Sequence, residues 1–537
     1  MIFLSGCVEN RPQTTTDAMV SWLSQNGHSP ADYVVSSFKD HDIVFLGEYH
    51  RVKHDPMFVQ SLIPELYDNG IYTLGMEFAC AVDQDRIDRL IKAPRYNETL
   101  AIDILRNQYY YWAYREYADI FRAAWKLNSK LSENAPRFRI VGLNIYTDYV
   151  KENCGTPEER KKETKTHALG DRTMAETIKR EILTKGGKAL IYCGSHHAFT
   201  RYHQLWSAPR GWQPSGLDAE LNAKEKEDYW YHIRTGNYIL DEIGNRTMTI
   251  RLHGAWSSAD HENYILPCKG TLDKVAIAYD KPVAFDIRGS PFEDLGDPDC
   301  DYALSYDNLT LFDLYDGYII LSPITEFEPV TVIPAEKWVD TPEVLRKIRL
   351  SENDPDITGE EFIEGCKREL METFAFSYAR PTYIARNGKE PVDIKTVFEG
   401  SDSLIFVLPP ELRESTKDLI DYLKKEGKNV EIVYSDEDLV KTSGTLWVMG
   451  TPESNALLNK IDLPFEITDE GIALEGKMYE GKNLTITTIL PNNGGWMIIS
   501  TGRHDKDIPE RLEMYRPFAY VLCDYVDVLA EGFYQEY

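Results

Sequence analysis

Between about residues 30 and 330, short apolar runs alternate with longer amphipathic stretches, the pattern of repeated strand–helix units. The pattern predicts strands at Ile43–Leu46, Tyr72–Met76, Arg139–Leu143, Ala189–Cys193, Thr247–Leu252, Val283–Ile287 and Tyr318–Leu321. The first two begin 29 residues apart, the span of a strand, a crossover helix and a return. Between them Met57, Phe58, Leu62, Ile63 and Leu66 recur at helical spacing, and Asn69-Gly70 closes the helix. The fold class expected is α/β, a mostly parallel sheet flanked by helices.

The pattern changes after residue 335. Thr341-Pro342-Glu343 opens one helical stretch and Ile357–Phe376 forms another. From about 400 a second α/β pattern starts, with strands at Leu404–Leu408, Val430–Tyr434 and Leu446–Met449 and an amphipathic helix at Glu411–Lys425. Leu484–Ile489 and Trp496–Ser500 add strands near the end. The expected plan is a polar amino-terminal tether over 1–30, an α/β domain over 31–335, a helical connector over 336–395 and a smaller C-terminal α/β domain over 396–537. Neither an internal repeat nor a low-complexity domain is present.

Composition narrows the partners. The 537 residues exceed one hydrophobic core, and 42% hydrophobic with 27% charged residues describes a folded chain. With 87 acidic against 59 basic side chains the formal charge is -28, which repels phosphate backbones and excludes nucleic acid as an expected partner. No run of eighteen apolar residues, the length needed to span a bilayer, appears in the sequence. Seven of the eight cysteines lie at 80, 154, 193, 268, 300, 366 and 523 with no C-x-x-C pair, so neither a disulfide framework nor cysteine-bound zinc is expected. The eighth, Cys7, ends Leu4-Ser5-Gly6-Cys7, which resembles a bacterial lipobox with Cys7 as the lipidated residue. The stretch before it is shorter than a working signal, so that resemblance expects a start further upstream. The implied location is extracytoplasmic, with membrane contact only through the lipid; the alternative is a cytoplasmic chain with a chance string of small residues.

Chemistry gathers where the strands end. In an open parallel sheet, helices cover both faces, and the concave polar ground lies beyond the strand carboxyl ends. The first strand runs into Gly47-Glu48-Tyr49-His50, the second into Glu77, the third into Asn144 and the fourth into Gly194-Ser195-His196-His197. Each alone is most simply a cap or a surface residue; together they form a candidate acid–base or ligand site centred on Glu48, His50, Glu77 and His197. His50 and His54, four apart, would face one metal if a helix began at His50, but no H-E-x-x-H supports this, and no metal ligand is assigned. The run Tyr109–Tyr117 is unusually aromatic; if helical, it packs one set of rings and offers another as a roof, with core packing the simpler reading. Gly450–Asn455, between a strand and an expected helix, reads as a structural cap rather than an anion site. No G-x-S-x-G, Walker or G-x-G-x-x-G sequence appears.

Four blocks, Gly47-Glu48-Tyr49-His50, Gly75-Met76-Glu77-Phe78, Asp171-Arg172-Thr173-Met174-Ala175-Glu176 and Gly194-Ser195-His196-His197, resemble in order and spacing the motifs of the superfamily containing erythromycin esterases, ChaN-type haem-binding lipoproteins and Tiki/TraB-like proteins. The resemblance covers about residues 40 to 200. It implies that Glu48, His50, Glu77 and His197 are the functional residues, with His50 as base in an esterase-like member. Asp171, Arg172, Asn144, His54 and His196 are then expected around a small-molecule pocket. This chain has Gly170 where the family usually has an Arg, and Arg172 is the expected substitute. Three activities follow as alternatives: ester hydrolysis, haem or other planar-ligand binding without chemistry, and metal-dependent peptidase action. The cofactor stays open between haem and a divalent metal, as do the substrate and oligomeric state.

Overall fold

A computed structural model of the chain describes residues 15–534 apart from 168, 205–232, 304–305, 307, 435–444, 493–494, 509–512 and 526. Cys7 and its neighbours therefore lie outside the described residues. The chain divides into two compact units, Met1–Leu370 and Met371–Tyr537.

The first unit is built on a seven-stranded sheet of β1 (Ile43–Glu48), β2 (Thr73–Cys80), β3 (Arg139–Asn144), β4 (Ala189–Gly194), β5 (Thr247–Leu252), β6 (Val283–Asp286) and β7 (Gly317–Ile320). Their spatial order is β3-β2-β4-β1-β5-β7-β6. All pairs are parallel except β6 with β7, so the sheet is mostly parallel with one antiparallel edge. β1 is central, and its side chains alternate between two cores. Val44 and Leu46 join Leu74, Met76, Leu190 and Ile250 on one face. Ile43 and Phe45 join Val141, Leu143 and Ile191 on the other. Burial on both faces explains the continuous apolar runs, as expected of a helix-covered parallel sheet.

The crossover after β1 is the helix His54–Asp68, whose Val59, Leu62, Ile63 and Leu66 are buried. Met57, counted in its apolar stripe, is half exposed. Gly70 at φ +80 ends it, a left-handed position that a side chain rarely adopts. The aromatic run corrects the helical expectation: Tyr109–Tyr114 is not helical, and the helix Arg115–Asn128 begins after it. A turn at Tyr110–Tyr111, closed by the Trp112 amide on the Tyr109 carbonyl, comes first; then Ala113 accepts from the Ile333 amide and Tyr114 bridges to Val332, so the end of the run is held extended beside residues 331–333. Trp112, Tyr114 and Tyr117 are core residues.

Residues from 336 do not stand apart as a connector. Trp338, Ile348, Phe362, Ile363 and Leu370 belong to the core of the first unit, and the division falls inside one long helix, Gly359–Asn387.

The second unit has its own seven-stranded sheet in the order 429–433, 403–407, 445–449, 495–502, 484–492, 520–524, 527–532. The first four strands are parallel and the remainder antiparallel. A helix expected at Glu411–Lys425 is shorter, Lys417–Lys425, because Pro409 is extended and a single 3-10 turn at Pro410–Leu412 intervenes. No α-helix follows Gly450. Asn455 is pinned instead by bonds to the Val407 and Met449 carbonyls, and Asp505 accepts from both the Thr451 amide and the Ser454 hydroxyl. A carboxylate of the chain itself thus occupies the place an anion would take.

Candidate functional site

The strand register dictates which ends meet. Glu48, last in β1, stands opposite Gly194, last in β4, and Met76 of β2 stands opposite Tyr192 of β4. The carboxyl ends of β2, β4 and β1 therefore lie side by side, and the four central residues converge there.

Glu48 is buried among donors. Tyr117 Oη donates to Oε1 at 2.6 Å, Tyr192 Oη donates to Oε2, and His50 Nδ1 lies 2.8 Å from Oε1. Burial pushes the Glu48 carboxyl above the usual range, while His50 and the two phenols pull it back. Burial, with Glu48 beside them, pushes both phenols well above their ordinary value, so they stay protonated and keep donating.

The His50 ring is fixed on several sides. Its Nδ1 faces Glu48, and its ring stands edge-on to Phe78 at 5.6 Å and to Trp112 at 5.2 Å. Its Cε1–Nε2 edge lies against Gly194, where a Cβ would come within 2.7 Å of Cε1, 2.9 Å of Nε2 and 3.5 Å of Glu77 Oε2. Position 194 therefore needs glycine for close approach. The His50 side chain remains 39% exposed.

Glu77 and His197 form the other half. Gly194 N–H donates to Glu77 Oε2 at 2.6 Å, and His197 Nε2 lies 3.4 Å from Oε1. His197 Nδ1 is 2.7 Å from Asp171 Oδ1. Burial opposes charge on this imidazole, but the Asp171 and Glu77 carboxylates outweigh it and push the ring up to about 9, an imidazolium at neutral pH. Burial likewise opposes charge on Asp171, yet His197, Arg234 and Thr235 together hold its carboxyl well below the usual range. Arg234 Nη1 is 3.3 Å from Oδ2, and the Thr235 amide and hydroxyl donate to Oδ1 at 2.8 and 2.7 Å.

The surrounding residues divide. Asp171 is part of the site. Arg172 is not: its side chain is 65% exposed and pairs with Glu176 four residues along the same helix, because it lies one step around the helix from Asp171. The guanidinium on Asp171 is supplied by Arg234. His54 starts its helix rather than following within it, so its ring is carried away from His50 to Phe327, 4.7 Å between centroids. Burial lowers His54 to about 4. Among the described residues no three His, Cys, Asp or Glu side chains are arranged to hold a metal ion. His196 turns to Tyr302, 3.1 Å from Nε2 to Oη, and burial lowers it well below the usual imidazole range. Asn144 accepts from the Ile145 amide at 2.8 Å and faces Gly170 at the start of the Asp171 helix, a structural position beside the site.

Sequence reasoning missed Tyr117, Tyr192, Arg234 and Thr235. Tyr117 lay in the aromatic run and Tyr192 in an apolar strand, both read as packing; the other two follow the last motif block and carry no signal of their own.

A family model described as haem-binding uptake, Tiki superfamily, ChaN matches residues 34–155. Over these residues the chain is similar to the ChaN-like domain of the Tiki superfamily. The match takes in β1, β2 and β3 with Glu48, His50 and Glu77, while Asp171 and His197 lie beyond it. Curated protein sequences give no match. Among solved structures the chain is similar to a mutant of the erythromycin esterase EreC in its open conformation, at 9% identity over 56% of this chain and 94% of that one, TM-score 0.37. A succinoglycan biosynthesis protein is similar at 12% identity over 60% and 100%, TM-score 0.41. A Bacillus cereus protein is similar at 10% identity over 59% and 99%, TM-score 0.36. At these scores the likenesses carry no inference about activity.

Proposed function

We propose that the ChaN-like unit is a hydrolase of the erythromycin-esterase type, with His50 as the general base on water. The observation that carries this is the one-sided anchoring of His50. Glu48 takes Nδ1–H and leaves Nε2, which lies beside Gly194 and has no hydrogen-bond partner among the described residues, as the basic nitrogen of a ring that is partly exposed. Nε2 removes a proton from water, and the hydroxide adds to the carbonyl of a bound ester. The imidazolium then returns that proton to the leaving alcohol as the tetrahedral adduct collapses. His197, already cationic, lies across Glu77 and offers positive charge where the oxyanion develops.

Of the donors at the site, His50 Nε2 alone is uncommitted among the described residues and could serve haem iron. His197 is engaged at both nitrogens, and the two nearest phenols are buried and committed to Glu48. Haem binding is the second reading because the matching family is described by it. We also read Cys7 as the site of a lipid anchor and the unit as extracytoplasmic, on the strength of Leu4-Ser5-Gly6-Cys7.

The test is a panel of carboxylic esters with wild type and His50→Ala. The expected result is turnover lost by about 10³-fold or more with the melting temperature nearly unchanged, since the ring is partly exposed. Turnover retained in the variant ends the hydrolase reading. A perturbed Soret band on haem titration, with no ester turned over by wild type, puts the second reading in its place. Cys7→Ser should abolish incorporation of labelled fatty acid in a bacterial host; unchanged incorporation removes the anchor.

A further inference from the structure

The second unit contains a cavity of about 370 Å³ that the chemistry of the first unit does not use. It is formed where the loop after the long helix crosses one end of a β-hairpin. Gly388, at φ +66, ends the helix Gly359–Asn387 in the left-handed conformation and turns Lys389-Glu390-Pro391-Val392 across the opening. Ile489, Pro491 and Trp496 supply the hairpin wall, with Pro491 directly opposite Trp496. Tyr383, Phe533 and Tyr534 close the far side. The Tyr534 hydroxyl is spent on Thr488, 2.7 Å away, so this residue presents its ring rather than a polar group.

Two charged side chains stand at the cavity, and they differ. Glu390 is paired with Arg380 at 2.8 Å. Lys389 is exposed and has no carboxylate partner among the described residues. On a chain of net charge -28, this cationic spot over apolar walls is a local reversal of sign. A lining that is mostly aliphatic and aromatic disfavours a sugar or nucleotide, most of whose polar atoms would go unpaired on burial. A volume in this range holds a small ligand rather than a polypeptide segment.

We propose that this cavity binds an anionic amphiphile of medium chain length, a saturated fatty acid of about ten carbons, with its carboxylate on Lys389 and its chain along Trp496 and Phe533. Each additional buried methylene then strengthens binding about fourfold until the cavity is full. The proposal is independent of the hydrolase reading.

The experiment is calorimetric titration of the full-length protein with sodium octanoate, decanoate and dodecanoate below their micelle concentrations, and with decanol. The expected result is one saturable site, affinity rising about fourfold per methylene before levelling. Lys389→Glu should weaken decanoate at least tenfold and leave decanol unchanged. Val392→Trp, which fills the cavity from its loop, should abolish both. Absence of saturable binding by any of the acids overturns the proposal. So does equal decanoate binding by wild type and a folded Val392→Trp, which would move the ligand elsewhere, or by wild type and Lys389→Glu, which would remove the recognition of charge. A melting curve of each variant without ligand separates a filled cavity from a misfolded one.

Discussion

His197→Gln tests the electrostatics of the site without recourse to its chemistry. The imidazole is raised from an ordinary 6.5 to about 9 by Asp171 and Glu77. A displacement of that size corresponds to roughly 3 kcal/mol of preference for the charged ring. The ring is a quarter exposed, and solvent screening reduces the expected contribution to about 2 kcal/mol. The folded state holds the proton more tightly than the unfolded state, so this contribution is complete below pH 6.5, declines between 6.5 and 9, and is absent above 9. Denaturant unfolding of wild type and His197→Gln at half-unit steps from pH 6 to pH 10 should show the stability difference shrinking by about 2 kcal/mol across that window. Asp171 is ionised throughout the window and retains Arg234 and Thr235, so it adds no slope of its own. Hydrogen–deuterium exchange at the His197 ring carbon, read by mass spectrometry, gives the midpoint directly. A difference independent of pH, together with an exchange midpoint near 6.5, would refute the two-carboxylate account of this ring.

Gly194→Ala should place a methyl 2.7 Å from His50 Cε1, about 0.7 Å inside the 3.4 Å of ordinary contact. The cost is about 1–3 kcal/mol of stability and about 100-fold in ester turnover as the ring moves off Glu48; unchanged turnover would place His50 outside the chemistry. Arg234→Met strips a buried cation from Asp171 and should cost about 3 kcal/mol, whereas Arg172→Ala, on the surface, should change stability by under about 0.5 kcal/mol. Equal effects in denaturant unfolding would contradict the assignment of Arg234. Asp55→Asn should stabilise the protein at neutral pH, because burial and then the Glu48 charge raise this carboxyl well above its usual value and the folded state keeps it protonated. The unfolded state prefers the ionised form, so the gain should fade as pH drops toward 3.8; a variant less stable than wild type at every pH contradicts a neutral Asp55.

The sheet was legible because burial on both faces demands continuous apolar runs, and five of the seven predicted strands begin at the residue where the structure starts them: Ile43, Arg139, Ala189, Thr247 and Val283. Their direction was less so. Val283–Asp286 is as apolar as its parallel neighbours, and nothing in four residues announces that it pairs antiparallel with β7. The site was legible as far as its residues directly follow strands, since a polar group there has one direction in which to go. Arg172 failed for the converse reason: one residue along a helix turns a side chain about 100°, and adjacency in sequence to Asp171 placed it on the surface. Arg234 was invisible because its role depends on the chain returning to the Asp171 helix through a segment without a motif. The aromatic run misled in conformation but not in destination, because an extended segment buries alternate rings as readily as a helix buries a stripe.

Four carboxylates, Glu48, Asp55, Glu77 and Asp171, are buried at or beside one edge of the sheet, each with a different remedy for the cost of burying charge. Glu48 spreads its charge over two phenols and His50; Glu77 takes the Gly194 amide and His197; Asp171 takes Arg234, Thr235 and His197. Asp55 has His54 Nε2 at 3.3 Å, and burial and the Glu48 charge drive this carboxyl toward the protonated form against the pull of Arg251. These remedies leave the two site imidazoles in unlike roles. His197 lies between two carboxylates and is consumed in neutralising them, so it can lend charge but has no nitrogen to spare for a proton. His50 meets Glu48, whose charge is already shared, and keeps Nε2 without a hydrogen-bond partner among the described residues, which is the ground for proposing it as the base. Moving a second acidic group onto His50, or taking Asp171 from His197, would erase that difference.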